Sequence, residues 1–172
     1  MNKIILLIIA LTFTVSLNAQ EYKYIGSQEC KKCHISEKKG SQFVSWLKSR
    51  HSHAFWRLNS EWSLFLAHQR EKYQDVTEPQ KDERCLKCHT SIRDESKELA
   101  SETYNIEEGV GCEACHGPAS VYIKTHMKKD RTTLDDGGLK PDETVCKKCH
   151  QDEHFQFIEK LPKIAHGFPK NE

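Results

Sequence analysis

Cysteine and histidine recur in this chain in one fixed order. Cys-x-x-Cys-His occurs four times: Cys30, Cys33 and His34; Cys85, Cys88 and His89; Cys112, Cys115 and His116; Cys146, Cys149 and His150. These copies take up all eight cysteines. Two thiols with a histidine directly behind the second form the attachment signature of c-type haem. The thiols add to the porphyrin vinyl groups, and the adjacent imidazole is the proximal iron ligand. Five residues are enough to curl under one porphyrin edge, hold it by two thioethers and still aim imidazole at the iron. The motifs therefore predict four c-type haems.

Other chemistries of paired cysteines explain less. Two zinc ribbons would use the eight thiolates but leave the four histidines without a reason. A disulfide scaffold suits an exported chain but is equally silent about the histidines. Iron–sulfur ligation needs a run of three cysteines two residues apart, and none occurs.

The elements around the motifs must attach, bury and complete these sites. Lys3, the apolar run Ile4 to Val15 and Leu17-Asn18-Ala19 read as a secretory signal over residues 1–19, with cleavage before Gln20. An uncleaved anchor is the alternative, but the apolar run is short for a membrane span. Export to the periplasm fits cysteine chemistry performed outside the cytoplasm, with cell-surface or membrane association as further possibilities. Residues 20–172 then form one domain. Only 37% of the chain is hydrophobic and mean hydropathy is −0.73, so side chains alone supply a thin core. Porphyrins would supply much of the remainder, and no stable fold is expected without them. Removing the signal leaves 25 basic and 25 acidic residues. Lys31, Lys32, Lys87, Lys147 and Lys148 lie in the motifs, either pairing with haem propionates or forming a solvated face. No basic stripe interleaved with aromatics argues for nucleic acid.

Four irons also need sixth ligands. Phe43, Trp46, Leu47, His51, Ala54, Phe55 and Leu58 recur at helical spacing, which predicts one helix with Ser41 as its N-cap. His51 lies on the apolar stripe, and His53 is turned about 200° away from it. A second helix is expected over 61–73, carrying His68. A third, over 121–129, carries His126 and Met127; His126 is preferred because a chain rich in spare histidine suggests bis-histidine sites. Pro141 suits a helix first turn. In the tail, His166 sits among aliphatic residues. The distal candidates are thus His51, His126 and His166, with His68, His53 and Met127 ranked behind them.

Further blocks carry a family resemblance. Tyr24-Ile25-Gly26-Ser27 precedes the first motif, and Trp46-x-x-Ser49-x-His51-x-His53-Ala54 follows it. Residues 109–118, Gly-Val-Gly-Cys-Glu-Ala-Cys-His-Gly-Pro, are the most specific block. Together with Ile164-Ala165-His166 they resemble the multihaem cytochromes of the cytochrome c-554 type, over essentially the whole mature chain. The resemblance implies a mostly α fold of short helices and loops wrapped around four closely packed haems, with electron transfer as the activity and redox proteins as partners. It also implies that distal ligands come from elsewhere than the motif they serve: His51 for the third haem and His126 for the fourth. The first haem is left to His166 or His68, and the second has no protein distal ligand. An open iron position motivates the alternative, a reductase of small nitrogen-oxide-type substrates, although all four motifs end in histidine and no acid/base motif specifies catalysis.

Overall fold

The computed structural model describes residues 22–92, 97–127 and 141–166. The expected signal over 1–19 and the glycine-containing loop over 132–140 lie outside the described residues. Helices in chain order are α1 (Ser27–His34), α2 (Gln42–Leu47), α3 (Ala54–Arg57), α4 (Glu61–His68), α5 (Glu83–His89), α6 (Cys112–His116), α7 (Tyr122–His126), α8 (Glu143–Lys147) and α9 (Phe157–Ile164). Among the described residues, the extended pairing is one isolated parallel bridge, Tyr24 with Ala100. No helix of the described residues is long and apolar enough to cross a membrane.

The Cys-x-x-Cys-His motifs account for α1, α5, α6 and the end of α8. α5 and α8 begin at real caps: Asp82 accepts from the Arg84 amide, and Asp142 from the amides of Thr144 and Val145. Pro141 stands before that second cap, not in the first turn of the helix.

The single helix expected from Phe43 to Leu58 is two helices separated by a turn. Ser41 is left-handed at φ 51° and makes no side-chain cap. The serines between α2 and α3 explain the break. Ser52 Oγ donates to the carbonyls of Leu47 (2.9 Å) and Ser49 (3.0 Å), and Ser49 Oγ accepts from the His51 amide (3.2 Å). Side-chain hydroxyls have replaced helical partners. His51 consequently sits in the turn, where its carbonyl accepts from the Val110 amide at 3.0 Å. Gly109 makes this approach possible: at φ +74°, a Cβ there would lie 2.6 Å from the His51 carbonyl oxygen. The helix expected over 61–73 is likewise shorter, ending at His68 before a 3-10 turn at Glu71–Tyr73.

The apolar core is small. Phe55, Leu58 and Leu86 form a buried cluster against Cys85 of the second motif. Trp56, Trp62, Phe65 and Ile158 stay exposed.

Candidate haem-binding site

None of the eight cysteines is disulfide-bonded. Among the described residues, no group of three or more Cys, His, Asp or Glu side chains is arranged to hold a metal ion directly. The histidines instead meet in pairs drawn from distant parts of the chain. His34 and His126 are stacked with centroids 5.6 Å apart, their Nε2 atoms at 3.4 Å. His116 and His166 have centroids 5.9 Å apart, and His150 and His51 6.0 Å.

These spacings test the fit to haem. Two metal–imidazole bonds of about 2 Å place facing nitrogens about 4 Å apart, and half a ring on each side brings the centroids to about 6 Å. The centroid distances of the three pairs lie close to that value, and the His34 and His126 nitrogens would separate by about 0.6 Å to admit a metal between them. A cleft beside the third motif has both thiols, Cys112 and Cys115, in its wall with His116 and His166. Trp46, Val110 and Ile164 give it apolar sides. A flat, mostly apolar ring tethered by two sulfurs suits these surroundings. The residues fit the group.

Neighbouring groups orient the motif imidazoles. His34 Nδ1 lies 3.1 Å from Gln42 Oε1, and His89 Nδ1 lies 2.7 Å from the Ala54 carbonyl oxygen. Such bonds fix the ring and leave Nε2 for the metal. Phe155 stacks on His150 at 4.8 Å. Burial, and then His150, holds His51 below the usual imidazole range, and burial holds His150 down as well. Both shifts favour the neutral, ligating form.

His51, His126 and His166 are therefore the histidines brought to motif imidazoles, but all three pairings differ from expectation. His126 meets His34 of the first motif, not His150. The His51 ring meets His150 of the fourth, although His51 also lines the third-motif cleft. His166 takes the third position. The remaining candidates are elsewhere. His68 Nε2 is 2.8 Å from the Val76 carbonyl oxygen, His53 is exposed beside Ser52, and Met127 is 65% exposed. Among the described residues, no ring contact joins His89 to a second imidazole.

The motifs also meet each other. The Cys30 thiol is pushed up first by its hydrogen bond to Cys112 and then by burial, and the same bond holds Cys112 down. That contact joins the first and third motifs. Cys149 Sγ approaches the Lys87 carbonyl oxygen at 3.8 Å, which joins the fourth to the second.

Two glutamates at the first contact escaped the sequence reading. Glu113, between the cysteines of the third motif, is 1% exposed. Its carboxylate accepts from the amides of Ile25 (2.9 Å), Gly26 (2.8 Å) and Ala119 (2.7 Å). Glu108 accepts from the Ser27 amide at 2.8 Å and from Ser27 Oγ at 3.1 Å. Burial pushes both carboxyls upward, opposed by these donors. Because every donor to Glu113 is an amide N–H, the acceptor-only ionised form fits best. An acidic residue inside an otherwise apolar, glycine-flanked motif was the available signal.

A mostly helical chain with little apolar core, in which three motif imidazoles lie beside second imidazoles, has the architecture of a multihaem c-type cytochrome. Residues 29–117 match the family described as Cytochrome c554 and c-prime, and the chain belongs to that family. It is 27% identical over 154 residues to cytochrome c-554 of Nitrosomonas europaea, covering 87% of this chain and 63% of that protein. The chain thus spans less than two thirds of that relative's length. The solved reduced state of cytochrome c554 from Nitrosomonas europaea is similar in fold, with a TM-score of 0.51 at 23% identity, covering 84% of this chain and 79% of that one.

Proposed function

We propose that the exported chain is a periplasmic electron carrier holding four c-type haems, three of them bis-histidine. Cys30 and Cys33, Cys85 and Cys88, Cys112 and Cys115, and Cys146 and Cys149 form the thioethers. His34, His89, His116 and His150 are the proximal ligands, and His126, His166 and His51 the distal ligands of the first, third and fourth haems. The carrying observation is the set of three imidazole pairs at about bis-ligand spacing. When bound, haem iron supplies one-electron chemistry between ferric and ferrous states. The chain attaches the rings, chooses their axial ligands and, through the bonds of Glu113, Glu108 and Ser27, brings the first motif to the third. Redox proteins are the partners; bis-histidine ligation suits low potentials. Intact mass together with a pyridine haemochrome assay tests the stoichiometry: four haems per chain are expected, and fewer would refute it.

His89 supports a second reading. Its Nδ1 is tied to the Ala54 carbonyl and, among the described residues, no second imidazole meets its ring, so the second haem would keep an open axial position able to take a small ligand. A nitrogen-oxide reductase would need that position. Failure of the ferrous protein to bind nitric oxide would remove this reading and leave the carrier.

A further inference from the structure

The helix of the first motif starts without a cap of its own. Its N-cap is Gly26, at φ 87°, with no side-chain hydrogen bond. The amides that open α1 need acceptors. They find them on the third-motif segment: Glu113 takes the amides of Ile25 and Gly26, and Glu108 takes that of Ser27. Ser27 Oγ completes the link, donating to Glu108 and accepting from the Cys112 amide at 3.1 Å. Upstream, Ser120 Oγ accepts from the Lys23 amide at 2.8 Å and the Ser120 amide donates to the Lys23 carbonyl at 3.1 Å. Two carboxylates near the start of α1 also complement its dipole. One haem-bearing helix is therefore capped by the segment that bears another.

The choice of glutamate matters. A carboxylate offers acceptors on both oxygens, whereas glutamine replaces one with an NH₂ donor that would face an amide N–H. An unbuttoned amide in so buried a place is costly. The negative charge has a second effect. Shielded from water, an anion acts strongly on nearby charges, and it opposes the addition of an electron next to it.

We propose that Glu113 is a positioning residue for electron exchange between the first and third haems, fixing the gap between their attachment helices and biasing that pair toward the ferric state. The proposal rests on the four-haem reading. It adds that the two halves of the haem set respond differently to one buried side chain.

The test compares the holoprotein with Glu113→Gln and Glu113→Asp, after haem counting. Potentiometric titration followed by electron paramagnetic resonance is the readout. In Glu113→Gln, two of the four midpoint potentials should rise and the resonance signals of those two haems should change, with the other two left as they were. Glu113→Asp keeps the charge on a shorter arm and should restore the potentials more fully than the signals. Four bound haems with every potential and signal unchanged would overturn the proposal, as would an equal shift in all four. If Glu113→Gln does not load four haems, Ser27→Ala decides. That variant removes the hydroxyl between Glu108 and the Cys112 amide and should disturb the same two haems; a spectrum and potentials identical to the parent would overturn the proposal. Fewer than four haems in the unsubstituted protein would instead strike the four-haem reading, before any variant is made.

Discussion

The contact between the first and third motifs and the packing around the second motif are built from different materials. The first is polar and buried, made of carboxylates and serine hydroxyls on backbone amides, with Glu113 and Ser27 almost wholly enclosed. Around the second motif, Phe55, Leu58 and Leu86 pack against Cys85, His89 is anchored to the Ala54 carbonyl, and the ion pairs of Arg84 lie at the surface. Directional bonds define a position; apolar packing supplies cohesion with less directional preference. The polar half is suited to setting the registry of two attachment segments. The apolar half gives a dry environment beside the imidazole that lacks a partner ring.

Substitutions separate these roles. The largest loss of stability should follow Phe55→Ala, which empties a buried site in the only apolar cluster among the described residues. Truncations of this kind cost about 3–5 kcal/mol. Thermal unfolding of the holoprotein should report this, with the imidazole ligation of the first haem intact. A spectral change at the first haem instead would break the division between halves.

Ligand variants come next and act one haem at a time. His126→Ala, His166→Ala and His51→Ala should each convert one low-spin haem to high spin, at the first, third and fourth positions respectively. His68→Ala should convert none, because that ring is engaged with the Val76 carbonyl. Magnetic circular dichroism of the three variants would check the assignment; a His126→Ala spectrum identical to the parent would dissolve the first pair.

The smallest effect belongs to the surface of the apolar half. Arg84 bonds Asp82 (2.6 Å) and Asp75 (2.8 Å), and those bonds hold both carboxyls below their usual range. Groups whose folded-state pKa is depressed stabilise the fold above the ordinary carboxylate value, about pH 4. That contribution fades as pH falls through their lowered values. Arg84→Ala should therefore weaken acid resistance slightly in low salt and lose the difference in high salt, since exposed ion pairs are screened. An acid-denaturation midpoint shifted equally at both salt concentrations would contradict this.

What could be read from the sequence follows from what is local. The four Cys-x-x-Cys-His motifs are contiguous, so their residues stand out directly as haem-attachment candidates. His51, His126 and His166 were named because each is a spare histidine in an apolar or helical setting. Their partners were another matter. Which imidazole meets which depends on how the chain returns on itself, and helical periodicity carries no information about that. His126 was expected at the last motif and lies at the first; His51 was expected at the third and its ring meets the fourth. The helix over 43–58 failed for a local reason, since Ser49 and Ser52 satisfy the backbone through their side chains and let His51 sit in a turn. Glu113 and Glu108 were invisible because their partners are amides some eighty residues earlier, and no spacing rule couples a glutamate to a distant helix start.

In the proposed ligation, three haems carry two imidazoles and the second carries one. Low-temperature electron paramagnetic resonance of the oxidised holoprotein, with spins quantified against haem content, tests it most directly. Three low-spin ferric haems and one high-spin haem per chain are expected. Four low-spin haems, or more than one high-spin, would contradict it.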